Sequence, residues 1–189
     1  LTYSGRLAEA EQTARTTYAD GVASGSVYTQ IAMASSLCIT STTQGRIATL
    51  GVAPTGASSA YGYIEPASAG LAEVRAFIEK PDAATAAQYI ANGYLWNSGN
   101  FIVRAEVLQD EIERATAGLS EAVAASLKDA TVDGEAIFLG KQFAAAPKIS
   151  IDYAVMERTQ RASVLPVDFE WSDLGAWDAV HASGEGDIG

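Results

Sequence analysis

The sequence predicts an α/β layer sandwich on a mixed, mostly parallel sheet. Three observations carry this. From residue 46 onward, segments with strand patterning alternate with segments of helical spacing, the order of an α/β layer fold. Apolar residues make up 48% and charged residues 19%, the balance of a globular chain rather than a disordered one. The length, 189 residues, suits one ordinary domain or a large piece of one.

Residues 1–45 are rich in Ala, Ser and Thr, poor in large apolar side chains, and without a clean period. Val27, Ile31, Ala34 and Cys38 follow helical spacing, so a helix across 27–38 is the one element expected there, against the β-branched and serine content. The chain therefore divides into a poorly readable, divergent segment, 1–45, and a sharply patterned one, 46–189. Arg46–Val52 reads as a short strand closed by Gly51, Pro54 and Gly56. Residues 72–79 alternate, with Val74, Ala76 and Ile78 on one side and Arg75, Phe77 and Glu79 on the other; Pro81 ends that strand. Asp82 is an N-cap for a helix over 83–91, and Asn92-Gly93 is its stop. Asn100–Val103 is a further strand. Leu108, Ile112 and Ala115 mark one helical face, and Leu119, Val123 and Leu127 another. Ser150 caps a short helix over about 151–158, and Ser163–Phe169 is the last strand.

Twenty-three acidic against 12 basic residues give a net charge of −11, which argues against nucleic acid as a partner, since a phosphate-backbone binder needs a basic face. No run of about 18 apolar residues is present, so no membrane span is expected. The first residues lack the basic and apolar regions of a signal peptide. The one cysteine, Cys38, excludes an intrachain disulfide and a thiolate zinc site, which fits a reducing, cytoplasmic setting.

Four clusters combine Gly, aromatic and charged residues where a plain core would use aliphatics. In Tyr61-Gly62-Tyr63-Ile64-Glu65, the glycine lets a ligand approach the backbone, or the segment is a strand with surface tyrosines. In Phe77-Ile78-Glu79-Lys80-Pro81-Asp82, Glu79 and Lys80 leave a strand end together, where ligands of open α/β sheets collect. A carboxylate there accepts from sugar hydroxyls and an ammonium holds a phosphate, or the two form a solvated surface couple. Tyr94-Leu95-Trp96-Asn97-Ser98-Gly99-Asn100-Phe101 offers an amide for a hydroxyl beside a ring for a sugar face, or is a structural loop entering a strand. Phe169-Glu170-Trp171-Ser172-Asp173-Leu174-Gly175-Ala176-Trp177 sets one carboxylate between tryptophans: Asp173 is one ligand for Mg²⁺, or the cap of the next helix. Asp152, in the first turn of the helix after Ser150, reads as a capping residue.

Taken in order, Thr49-Leu50-Gly51-Val52 with Pro54-Thr55, Tyr61-Gly62-Tyr63-Ile64, Phe77-Ile78-Glu79-Lys80-Pro81-Asp82, Tyr94-Leu95-Trp96-Asn97-Ser98-Gly99, Ser150-Ile151-Asp152-Tyr153-Ala154-Val155-Met156-Glu157 and Trp171-Ser172-Asp173-Leu174-Gly175-Ala176-Trp177 closely resemble the C-terminal part of the nucleotidyltransferase domain of bacterial mannose-1-phosphate guanylyltransferases. The resemblance covers about residues 46–189. The Glu-Lys-Pro and Trp-x-Asp-x-Gly elements are shared with sugar-1-phosphate nucleotidyltransferases generally; the Trp-Asn-Ser-Gly and Ile-Asp-Tyr-Ala-Val-Met-Glu stretches point to the guanylyl, mannose branch.

The resemblance implies a Rossmann-like, GT-A-like nucleotidyltransferase fold. It implies joining of GTP and mannose 1-phosphate to give GDP-mannose and pyrophosphate, with Mg²⁺ as cofactor. Such chemistry needs positioning and electrostatics more than a covalent nucleophile. It also implies roles: Gly62 contacts the sugar through its backbone, Glu79 and Asn97 bind mannose hydroxyls, Lys80 holds the sugar phosphate, and Asp173 ligates the metal; Lys80 and Asp173 are the catalytic pair. A homo-oligomer is compatible with it. Three departures stand out. No Gly-Gly pair occurs, although the family opens with a Gly-rich nucleotide loop; Ser4-Gly5-Arg6-Leu7 is a faint echo. Ala19-Asp20-Gly21-Val22 takes the place of an Asp-His motif, which makes Asp20 the second expected metal ligand. Asn100 stands where the family has an apolar residue. The fold is therefore expected to be truncated at the N-terminus, with an open sheet edge, and the chain alone to be inactive. The alternatives are a transferase for another sugar 1-phosphate and a non-catalytic sugar-phosphate-binding homologue.

Overall fold

The computed structural model describes residues 3–24, 27–169, 171–173, 177 and 181. Two helices come first, α1 (Tyr3–Ser24) and α2 (Val27–Thr43), so the division at residue 45 falls in the turn between α2 and the first strand. Then follow β1 (Ile47–Val52), β2 (Tyr63–Pro66), β3 (Ala72–Ile78), α3 (Ala83–Ala91), β4 (Leu95–Ile102), α4 (Ala105–Ala115) and α5 (Leu119–Lys128). A small hairpin, β5 (Thr131–Asp133) and β6 (Ala136–Phe138), precedes a 3-10 turn (Lys141–Ala145), a π-helical turn (Asp152–Met156) and β7 (Ala162–Val167).

The five long strands are hydrogen-bonded in the order β1-β4-β2-β3-β7 and back to β1. The sheet is mixed, as expected, but antiparallel pairs dominate: among the described strands, only β1 and β7 run parallel. The cause is local in part. Only a few residues link β2 to β3, and a short connection forces an antiparallel hairpin. The expected open edge is also absent among the described strands. Ala72 pairs with Val164 and Glu73 with Ser163, closing the ring through a seam of two residue pairs. Arg46 clasps that seam, its Nη1 donating to Glu73 Oε1 at 2.9 Å and its Nη2 to the Ala162 carbonyl at 2.8 Å.

Strand alternation gives the sheet two apolar faces. Ala48, Val52, Tyr63, Trp96, Leu165 and Val167 face Ala14 of α1, Ala34, Leu37 and Cys38 of α2, and Ala86 of α3. Ile47, Ile64, Phe77 and Val164 face Val107 of α4 and Ala154, Val155 and Met156 of the π turn. Helices on both faces make the expected layer sandwich. Small residues bring α2 close to the sheet. Buried Ser41 Oγ and Ser163 Oγ meet at 2.6 Å, and burial pushes the Cys38 thiol up to about 11, so it stays a protonated, inert core group.

Helix α3 is set locally. Asp82 Oδ1 accepts from the Ala84 and Thr85 N–H groups at 2.9 Å, and Gly93, at φ +77°, ends the helix in the left-handed region. Strand β3 departs from simple alternation. Its register to β2 jumps from Glu65↔Ala76 to Pro66↔Val74, so Arg75 is an extra, bulged residue. The bulge returns Val74 and Phe77 to the same core, although the alternation read from sequence sets them on opposite sides.

Candidate functional site

Five segments end at one cleft of about 290 Å³: the entry to β2 (Tyr61, Gly62), the end of β3 (Glu79, Lys80), β4 (Asn97, Ser98, Gly99), the π turn (Ile151, Asp152) and the stretch after β7 (Trp171, Asp173). The hairpin register brings the first two together. Tyr63 lies opposite Ile78, so Gly62 and Glu79 are the next neighbours. The approach is tight: a Cβ on residue 62 would stand 2.5 Å from Glu79 Oε2 and 3.3 Å from Asn97 Cβ. Only glycine leaves the carboxylate where it is.

Glu79 is nearly buried, with 11% of its side chain exposed, while Lys80 is 57% exposed; their Oε1 and Nζ are 3.1 Å apart. Lys80 has φ +48°, a left-handed conformation that costs a non-glycine residue energy and persists only when its surroundings hold it. One hold is visible. The Glu79 N–H donates to Glu157 Oε1 at 3.0 Å, from the turn that follows the π helix. The hydrogen bond and charge of Glu79, with small contributions from Tyr153 and Asp152, raise the Lys80 pKa, so its ammonium is fully charged at neutral pH.

Asn97 is placed by a second irregularity. The sequence reading starts this strand at Asn100, but β4 starts at Leu95, and its register to β1 jumps from Thr49↔Phe101 to Gly51↔Asn97. The extra residues bulge around Gly99, whose φ of +75° suits glycine. Asn97 Oδ1 accepts from Thr49 Oγ1 at 3.3 Å and from the Gly99 N–H at 3.1 Å, which fixes the amide's orientation. Its Nδ2 donates to Asp152 Oδ1 at 3.3 Å and keeps a second hydrogen for a ligand. Tyr61 closes one side, edge-on to Trp96 at 4.8 Å and to Trp171 at 5.4 Å between ring centroids.

Thus Gly62, Glu79, Lys80, Asn97 and Asp173 meet at one place, and Asp20 does not join them. Asp20 is exposed on α1, and Arg15, one turn earlier, lies beside the Leu71 carbonyl at the far end of the β2–β3 hairpin. The echo Ser4-Gly5-Arg6-Leu7 falls within α1. Asp173 is exposed at the rim; Leu174, Gly175 and Ala176, and any helix it would cap, lie outside the described residues. No cluster of three metal-ligating side chains exists among the described residues. The one candidate ligand at the mouth, Asp173, is a carboxylate, the oxygen donor that a hard cation such as Mg²⁺ takes alongside phosphate and water.

Sequence reasoning missed three participants. Asp152 looked like a cap because its partner Asn97 is distant in the chain, and Thr49 and Glu157 lay in motifs without an obvious donor or acceptor role.

The chain matches the family described as Nucleotidyl transferase over residues 11–187. It belongs to the nucleotidyl transferase family. Within that family, it is 42% identical over 150 residues to a mannose-1-phosphate guanylyltransferase of Sinorhizobium fredii, which covers 77% of this chain and 29% of the relative. It is 41% identical over 140 residues to the xanthan biosynthesis protein XanB of Xanthomonas campestris, covering 72% and 30%. The chain thus spans under a third of these relatives' length. Among solved structures of similar fold, one described as mannose-6-phosphate isomerase from Helicobacter pylori aligns with a TM-score of 0.70 and 25% identity, over 77% of this chain and 59% of that one. A Thermus thermophilus protein described as mannose-1-phosphate geranyltransferase gives 0.65 and 31%, over 82% and 46%.

Proposed function

We propose that this chain is the sugar-phosphate-binding part of a mannose-1-phosphate guanylyltransferase, the enzyme class that joins GTP and mannose 1-phosphate into GDP-mannose and pyrophosphate. The observation that carries the reading is the convergence of Gly62, Glu79, Lys80 and Asn97, from three separate strands, on one cleft with Asp173 at its mouth. In this reading the bare backbone at Gly62 lets the sugar ring lie close. Glu79 accepts from mannose hydroxyls, and the free Asn97 N–H donates to another. Lys80 sets its ammonium against the phosphate as a point charge. Positioning of this kind aligns the phosphate oxygen for in-line attack on the nucleotide.

Three carboxylates, Glu79, Asp152 and Asp173, share the cleft with the single ammonium of Lys80. A sugar phosphate entering so acidic a place needs a counter-cation. Mg²⁺ bound at Asp173 would supply it, neutralising phosphate charge; Asp20 would contribute only if α1 were placed differently. No Gly-Gly pair is available to build the nucleotide loop, so the chain by itself binds the sugar phosphate without releasing pyrophosphate. The setting is cytoplasmic, and no helix among the described residues is long and apolar enough to cross a membrane.

Calorimetric titration tests this. Mannose 1-phosphate should bind more tightly with Mg²⁺ than without it, more tightly than glucose 1-phosphate, and roughly tenfold or more tighter than mannose, the size of one charged hydrogen bond. Lys80→Ala should abolish the gap between mannose 1-phosphate and mannose. Equal affinity for all four conditions would refute the assignment.

A further inference from the structure

A second cleft, of about 540 Å³, lies on the other side of the π turn. Val155 lines it, whereas Ile151 and Asp152 line the first cleft, and the two share no residue. Arg114, Arg158 and Arg161 converge here, a quarter of the 12 basic residues in a chain whose net charge is −11. One carboxylate, Glu111, lines the cleft with them. It is 91% buried as a side chain, and its Oε1 takes Arg114 Nη1 at 2.9 Å and Arg161 Nε at 3.4 Å. Arg161 Nη1 also lies 3.8 Å from Asp110, outside the lining.

Arg158 differs from the other two. Among the described residues no carboxylate lies within ion-pair distance of it; its Nη1 donates to the Ala115 carbonyl at 3.0 Å, at the end of α4. That bond fixes the guanidinium without cancelling its charge. Each guanidinium carries five N–H donors, and most of those on the three arginines remain unused. Thr159 accepts from the Arg161 N–H at 3.0 Å through its hydroxyl oxygen, which leaves its own proton to give. Glu111 thus orients two guanidiniums while the cleft keeps surplus positive charge and a fan of donors, the chemistry that planar forks offer to oxyanions.

We propose that this cleft is an anion site for a compact, multiply charged phosphate oxyanion, seated on Arg158 and Arg161 with Arg114 at its mouth. Free pyrophosphate and the phosphate tail of a nucleotide share this chemistry. The cleft's size admits a diphosphate, and its lining offers no aromatic side chain to stack a base.

The test is a titration of the chain with inorganic pyrophosphate, orthophosphate and GTP at constant ionic strength, without divalent cation. Pyrophosphate should bind at least tenfold more tightly than orthophosphate, and GTP no more tightly than pyrophosphate. Arg158→Gln should weaken pyrophosphate at least tenfold, while Lys80→Ala, in the other cleft, leaves it unchanged. Because Arg158 also holds the end of α4, Arg158→Lys serves as the second variant: it keeps the charge and should recover part of the affinity. Absence of pyrophosphate binding at millimolar concentration in the wild-type chain overturns the proposal and leaves the arginines as cross-links between α4 and the turn. Binding that survives Arg158→Gln, or that Lys80→Ala removes, overturns it equally. GTP binding at least tenfold tighter than pyrophosphate does the same, because a base would then be recognised.

Discussion

Replacing Gly62 with alanine adds a single methyl group at the most crowded point of the first cleft. Its Cβ would meet Glu79 Oε2 at 2.5 Å and Asn97 Cβ at 3.3 Å. The carboxylate must retreat by about 1 Å to reach ordinary contact. It can do so, because the obstacle is the far end of a flexible side chain, so the cost in folding stability stays below about 1 kcal/mol. A carboxylate moved that far loses its hydrogen bond to a sugar hydroxyl, and a bond to a charged group contributes about 1.5–3 kcal/mol. Gly62→Ala should therefore weaken mannose 1-phosphate binding by roughly tenfold to a hundredfold. Mannose should weaken as well, because its hydroxyls meet the same displaced carboxylate; any extra loss with the phosphate present reports the Lys80 ammonium, which pairs with Glu79 Oε1. Gly51→Ala is the control. There the added Cβ would lie 2.6 Å from Leu95 Cδ1 and 2.7 Å from Val164 Cγ2. Packed core atoms retreat less easily, so stability should fall by about 1–3 kcal/mol. Calorimetry and thermal melting separate the two outcomes. A Gly62→Ala chain that binds mannose 1-phosphate like the wild type would refute the argument that this glycine makes room for Glu79.

Other consequences follow from the same contacts. Glu157→Ala removes the acceptor that holds the Glu79 amide, so it should weaken mannose 1-phosphate more than mannose and speed amide exchange at Glu79; Glu157→Gln, which keeps an acceptor oxygen, should restore most of both. Glu79 raises the Lys80 pKa above its ordinary value of 10.5. That ion pair is complete below the ordinary lysine value and is lost as pH rises through the folded one. Sugar-phosphate affinity should thus stay level from about pH 7 to about pH 9 and fall only in stronger alkali, which a titration series would reveal. Cys38 should resist an aromatic disulfide reagent at about pH 8 in the native chain and react promptly in denaturant, because burial holds its thiol protonated.

How legible the molecule was depended on whether the signal was local. The cap at Asp82 and the stop at Asn92-Gly93 are set by residues within a turn of each other, and both are in the structure as read. The first 45 residues were opaque for a physical reason. Helix α2 buries Thr40, Ser41 and Thr42: Thr40 Oγ1 donates to the Ser36 carbonyl, Thr42 Oγ1 to that of Ile39, and Ser41 Oγ meets Ser163 Oγ on β7. A helix that hides serine and threonine in this way leaves no amphipathic stripe to read. In β3 and β4 the strands were visible but their bulges were not, since the register of a pair is decided by the partner strand. The bulge in β4 made Asn97 look like a loop residue. The site motifs, by contrast, were readable as a set, because each is a short contiguous run of Gly, aromatic and charged residues, and the topology brings those runs to one cleft.

The ring of strands closes on very little. β1 is bonded along its length on both sides, while β3 and β7 meet through Ala72↔Val164 and Glu73↔Ser163 alone. A few hydrogen bonds at about 1 kcal/mol each set the height of that gate, well within the range of local opening. Arg46 is its latch, one hand on Glu73 and the other on the Ala162 carbonyl. Unlatched, the barrel becomes a sheet with two raw margins, each a template on which another strand can be laid. The same gap that would admit a neighbouring strand as a legitimate guest would admit a second copy of the chain as an aggregate. At this seam, the guard against such pairing is one half-buried guanidinium.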